Sequence, residues 1–188
     1  MLNWANRLTV IRIISVPLFI ASLVYYSPER KYFYFLSVVI FLLACLTDAM
    51  DGYIARKFDQ ETVLGSYIDP IADKLLLMSG FLSLSFMGHL PDSMRIPAWV
   101  TILVIARDVI ILIGSTMIFL TTGQLKAQPL IIGKVTTVFQ MMALFSALIS
   151  LPLKFQMTVF IMMGILTVIS GVQYIRMGGR LLQPSQSP

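Results

Sequence analysis

Residues 32–56 read YFYFLSVVIFLLACLTDAMDGYIAR. The stretch starts as uninterrupted apolar chain and then carries Asp48, Asp51 and Arg56 near its end. An apolar helix of about 20 residues crosses roughly 30 Å of hydrocarbon. Ionisable groups at such a depth are costly and usually serve a function. Moving outward, a polar turn (Lys57-Phe58-Asp59-Gln60-Glu61) leads to Gly65 and then to a second acidic pair, Asp69 and Asp73, which opens the next apolar run. The fold and the chemistry both follow from this alternation.

The rest of the chain has the same character. Of its 188 residues, 57% are hydrophobic and 12% charged, about half the charged fraction of a soluble domain. Six apolar stretches, roughly 8–27, 32–56, 69–88, 97–120, 131–151 and 155–176, each have the length of a membrane span. The fold expected is an all-α integral membrane protein, a single domain over 1–188 with six transmembrane helices. A short interfacial helix is expected over 1–7, around Trp4, and a frayed tail over 178–188. The first span reads as an anchor, since no small-residue cleavage site follows it.

Arg7, Arg12, Arg56, Lys57, Lys126, Lys134, Arg176 and Arg180 fall on one side of the alternating spans. Only Arg30, Lys31, Arg95 and Lys154 fall on the other. The excess places both termini and the Asp-rich loop in the cytoplasm of an inner or plasma membrane. Several function classes drop out. Cys45 and His89 are each alone, which leaves no zinc site and no Ser-His-Asp site. The +5 charge is scattered over loops, which suits an anionic lipid surface rather than nucleic acid.

Asp48 and Asp51 are spaced i, i+3, and Asp69 and Asp73 i, i+4. On helices each spacing puts both carboxylates on one face. Like charges about 4 Å apart repel by roughly 4 kcal/mol at an effective dielectric near 20. Such a cluster must take up protons or bind cations, and oxygen-only ligands favour Mg²⁺, Mn²⁺ or Ca²⁺. Two divalent ions would form the clamp used in phosphoryl displacement. Gly52, Ala55 and Gly65 leave the helix faces bare for a bulky ligand, and Arg56 offers a planar fork to phosphate. A plainer reading makes Asp69-Pro70 a helix start, N-cap then N1, with Asp48 and Asp51 as ion-pair partners of Arg56 or Lys74. A divalent-cation transporter is the reading from another class, but no ionisable residues continue the path through the outer halves of the second and third spans.

The full pattern is Asp48-x-x-Asp51-Gly52-x-x-Ala55-Arg56, eight residues, Gly65-x-x-x-Asp69-x-x-x-Asp73. It resembles, without departure, the signature of the CDP-alcohol phosphatidyltransferases. The likeness extends to Asn6-x-Leu8-Thr9-x-x-Arg12, to Arg107-Asp108 and to Gly133-Lys134. It implies a homodimeric membrane enzyme that moves a phosphatidyl group from CDP-diacylglycerol to an alcohol and releases CMP. By match to the motif, Asp48, Asp51, Asp69 and Asp73 would hold two divalent cations, Mg²⁺ or Mn²⁺, and Asp73 would also be the base. Gly52, Ala55, Arg56, Gly65, Asn6 and Thr9 would contact the CDP moiety.

Arg107, deep in the fourth span, and Lys134, opening the fifth, are the candidate anion site for a glycerol-based acceptor. Two branches of the family are nearest. Phosphatidylglycerophosphate synthases usually carry Gly-Lys-x-Lys-Thr where this chain has Gly133-Lys134-Val135-Thr136-Thr137. With fewer cations, the singly charged phosphatidylglycerol of cardiolipin synthesis is slightly favoured over glycerol 3-phosphate.

Overall fold

A computed structural model describes residues 4–58, 63–122 and 131–182. Among them are six α-helices: α1 (Trp4–Val24), α2 (Tyr32–Phe58), α3 (Val63–Phe86), α4 (Ala98–Thr122), α5 (Ile131–Leu148) and α6 (Leu153–Leu182). A single 3-10 turn, Asp92–Met94, precedes α4. The described residues contain no strand.

Three stretches are long and apolar enough to cross a membrane: Asp92–Gly114, Ile131–Leu148 and Leu153–Met177. The apolar parts of the other helices that could be assessed, Val10–Val24, Tyr32–Thr47 and Lys74–Phe86, are shorter. The surface also suits lipid. Large apolar side chains such as Phe35, Val39, Ile102, Ile113, Ile161 and Ile165 point outward, where a soluble protein would place charge. Hydroxyls turn inward and are satisfied within their own helices. Ser22 donates to Phe19 O (2.6 Å), Ser146 to Ala143 O (2.8 Å) and Thr167 to Met163 O (2.7 Å). In hydrocarbon no water is available for these groups, so the preceding turn is the nearest acceptor.

The chain divides into two compact units, Met1–Ile96 with Ala147–Ser150, and Pro97–Ser146 with Leu151–Pro188. In the first, α1 packs on α2 and α3 around Phe19, Leu23, Phe41, Leu77, Phe81 and Leu84, with the Phe19 and Phe41 rings 6.2 Å apart. Its connections are tied at one end. His89 Nε2 donates to Leu23 O at 2.8 Å, Arg95 Nη2 to Gly88 O at 2.6 Å, and Ser93 Oγ to Ser150 Oγ at 3.2 Å. His89 is therefore a structural clip. Ser150 closes the α5–α6 turn with φ 54°, a left-handed value uncommon outside glycine. In the second unit α4 packs on α6, and α5 reaches α6 where Thr136 Oγ1 approaches Leu166 O at 3.4 Å.

Three expectations about helix ends need correcting. α3 begins at Val63, so Asp69-Pro70 is not a helix start; both residues lie inside the helix. Pro17 likewise lies within α1. A proline deletes one backbone bond, whereas ending the helix in an apolar setting would strand several polar groups. At the other end α6 passes through Gly178-Gly179 and continues to Leu182. At the N-terminus Trp4 already belongs to α1, with no break before the first apolar stretch.

Candidate functional site

The signature residues stand on three helices. α1 carries Asn6 and Thr9, the last third of α2 carries Asp48, Asp51, Gly52, Ala55 and Arg56, and the first half of α3 carries Gly65, Asp69 and Asp73. With both stretches helical, the i, i+3 and i, i+4 spacings keep each carboxylate pair on one helix face. The side chains of these residues lie outside the described residues, as does the connection over 59–62. The donor set itself, all carboxylate oxygen, matches hard divalent cations. Beside α2, sequence reading left Arg12 without a role. Its side chain is only 1% exposed, and with Thr47, one residue before Asp48, it lines an otherwise apolar cleft of about 240 Å³ between α1 and α2. A buried guanidinium needs anionic or carbonyl partners.

The second unit holds the two basic residues singled out in the sequence. Arg107 on α4 is 5% exposed and is held from two sides. Its Nη1 pairs with Asp108 Oδ1 at 2.7 Å, and its Nη2 donates to Ser170 Oγ on α6 at 3.0 Å. Its Cζ lies 5.8 Å from the centre of the Tyr174 ring, also on α6, within cation–π range. Nε has no hydrogen-bond partner. The α5 backbone closes the third side. A Cβ built on Gly133 would fall 3.2 Å from Arg107 Nη2 and 3.2 Å from the Tyr174 hydroxyl, so a larger residue there would have to push both groups back by a few tenths of an ångström. Lys134, the next residue, is exposed.

Arg107 thus lies against Gly133, the residue before Lys134. Sequence reading missed Ser170 and Tyr174, which supply the other half of the cluster. Their signal was weak: a serine and a tyrosine i, i+4 on an apolar helix, two residues before Arg176. Further along the same face of α5, Thr136 is buried and donates to Ile132 O at 2.7 Å. Gln140 beyond it is fully buried, and neither of its amide atoms has a hydrogen-bond partner.

What this arrangement can do is hold an anion. A guanidinium fixed in plane and a phenol meet beside the first turn of α5, and a guanidinium so held is suited to pairing with an anion. Comparison with known proteins agrees with the class of chemistry. A family model described as CDP-alcohol phosphatidyltransferase matches residues 2–171. A probable phosphatidylglycerophosphate synthase of Mycobacterium tuberculosis is 36% identical over 177 residues, covering 92% of this chain and 80% of the relative. A CDP-diacylglycerol--glycerol-3-phosphate 3-phosphatidyltransferase of Wigglesworthia glossinidia brevipalpis is 36% identical over 151 residues, covering 78% and 77%. One of the same name from Aquifex aeolicus is 34% identical over 145 residues, covering 77% and 75%.

Proposed function

Because this chain belongs to the CDP-alcohol phosphatidyltransferase family, we propose that it transfers the phosphatidyl group of CDP-diacylglycerol to glycerol 3-phosphate, making phosphatidylglycerophosphate and CMP. The observation that carries the choice of acceptor is the naming of its relatives, which specify that acceptor. Counting cations had favoured phosphatidylglycerol, and neither the relatives' names nor the cluster around Arg107 supports that preference. The Gly133–Arg107–Tyr174 arrangement adds neutral donors to the cations, as a doubly charged phosphate monoester requires.

In this reading the protein is an integral membrane enzyme of six spans, dimeric, with its site open to the cytoplasm. Arg56 grips the donor pyrophosphate, while Gly52, Ala55 and Gly65 give the cytidine room to approach. Asp48, Asp51, Asp69 and Asp73 would hold divalent cations, which supply charge neutralisation to the donor pyrophosphate when bound. Asp73 accepts the proton of the acceptor hydroxyl. That oxygen forms the new bond to the phosphatidyl phosphorus, the bond to CMP breaks, and CMP leaves with the electron pair. Arg107 and Lys134 hold the acceptor phosphate so that its hydroxyl is presented for attack.

The test uses the full-length enzyme in mixed micelles with CDP-diacylglycerol, offering glycerol 3-phosphate and phosphatidylglycerol in parallel. CMP release with glycerol 3-phosphate as the preferred acceptor is expected. Cardiolipin as the main product would move the acceptor to phosphatidylglycerol. No CMP with any alcohol would overturn the proposal. Arg107→Ala should raise the acceptor KM roughly ten- to a hundred-fold, the value of a charge-assisted hydrogen bond, and leave the donor KM near its original value.

A further inference from the structure

We infer that the cleft between α1 and α2 seats one acyl chain of the lipid donor, and that Ala44 sets its depth. The inference rests on the reading of this chain as an enzyme of CDP-diacylglycerol, and it adds an acyl-chain site that the signature residues do not supply.

Three observations converge. First, the cleft follows two helices lengthwise. α1 and α2 pack on each other and are joined by the short connection over 25–31, so they run antiparallel. The rings of Phe19 and Phe41 lie 6.2 Å apart, and those of Tyr26 and Tyr34 lie 6.4 Å apart. The same register, carried along both helices, sets position 12 level with position 48. The lining runs from Leu18 and Ile40 at one end to Ile11 and Thr47 at the other, about 10 Å at the rise of an α-helix.

Second, the lining suits hydrocarbon. Ala44 is short and buried and makes the floor, while Ile11, Ile14, Leu18 and Leu43 are exposed and stand at the rim. Two hydroxyls line the cleft, and both are spent on their own helices. Ser15 Oγ donates to Arg12 O at 2.6 Å and Thr47 Oγ1 to Ala44 O at 2.9 Å.

Third, the two ends differ. Past Thr47 on α2 come Asp48 and Asp51, and before Ile11 on α1 come Thr9 and Asn6. Arg12, the one charged residue lining the cleft, belongs to this end as well. The far end, at Leu18 and Ile40, is apolar. A donor whose diphosphate is held by the signature therefore finds an apolar groove leading away from its head. This continuity selects the donor as occupant over bulk lipid or a second copy of the chain. An acyl chain that leaves the bilayer for such a groove gains nothing from hydrophobicity. The groove contributes by fit, holding the chain so that the head is presented in one orientation.

The experiment compares wild type with Ala44→Phe, which fills the groove from its floor, and Leu43→Trp, which narrows it from the exposed rim. Donor kcat/KM is measured with the full-length enzyme in mixed micelles, for dioleoyl and for dibutanoyl CDP-diacylglycerol. Each variant is expected to lower kcat/KM for the dioleoyl donor about tenfold more than for the dibutanoyl donor. An unchanged ratio between the two donors in both variants overturns the inference. On the wild type, a dioleoyl donor carrying a diazirine in one acyl chain is photoactivated and its adducts are mapped by mass spectrometry. Adducts within 11–18 or 40–47 are expected, displaced by excess CDP-diacylglycerol and not by phosphatidylcholine. Adducts confined to other helices overturn the inference. So does equal displacement by both lipids, which would make the cleft a general lipid contact. Adducts in the groove without CMP release by the wild type would sink the transferase reading and leave the groove standing. CMP release with adducts elsewhere would sink the groove alone.

Discussion

Asp73 is where the proposed chemistry is most exposed to a single substitution. Replacing its carboxylate with an amide of the same shape removes the proton acceptor and retains most of the packing. Asp73→Asn should therefore abolish turnover, by a factor of about 10² or more, while CDP-diacylglycerol is still bound. Near-native CMP release by this variant would assign the base elsewhere. At this scale the sequence was partly legible. Carboxylates, glycines and Arg56 at fixed spacing within 26 residues declare themselves, because the whole signature is contained in one continuous stretch of chain. Arg107 was conspicuous as a cation in an apolar run, but its partner Ser170 is 63 positions away. No local pattern announces such a pairing. The cation count that favoured a singly charged acceptor finds no specific support in the relatives, whose names specify glycerol 3-phosphate.

Among the elements, the apolar runs located all six helices, and the turn residues located the breaks. The misreadings came at helix ends, where propensity and environment disagree. Asp69-Pro70 satisfies every local rule for a helix start, yet α3 is already helical from Val63. Gly178-Gly179 would fray in water, yet α6 runs past it. In both cases an apolar setting penalises free backbone groups more than it penalises a poor helix former. The proposed six spans give a direct prediction. With Cys45 changed to Ser, single cysteines placed at Glu29 and Ser150 should react with an impermeant maleimide in intact cells. Cysteines at Gln60 and Gln124 should react only after the membrane is opened. Labelling of all four from outside would break the alternation. On α4, Ile110 stands at the middle of Ala98–Thr122 and is exposed, so Ile110→Lys would face lipid. Near mid-span that costs about 2.5–3.5 kcal/mol of insertion free energy, which should lower the membrane-integrated fraction in an insertion assay.

For the whole molecule, the division into two units separates the roles the sequence assigned. The signature residues belong to α1, α2 and α3, while Arg107, Gly133, Ser170 and Tyr174 belong to α4, α5 and α6. Removal of divalent cations with EDTA should abolish CMP release, because the four carboxylates, if they share one site as proposed, could not stay ionised together without a counter-charge. Mg²⁺ or Mn²⁺ should restore it, and undiminished release in metal-free buffer would refute the metal assignment. The acceptor cluster should respond differently. Its cations are covalent parts of the chain, so glycerol 3-phosphate affinity should survive chelation far better than turnover does.

Gln140 carries a consequence of another kind. An amide with no hydrogen-bond partner at the centre of a packed helix face is a liability that the rest of the unit tolerates. Its desolvation costs about 1–3 kcal/mol, and an apolar residue of similar volume would not incur that cost. Gln140→Met should therefore melt several degrees higher than the parent when unfolding is followed in detergent. A lower melting temperature would mean that the amide is bonded in the membrane after all. If the gain is found, the natural chain gives up rigidity in α5, the helix that carries Gly133 against Arg107. A looser α5 would be the feature to examine when asking how a charged, water-borne acceptor gets in and a lipid product gets out.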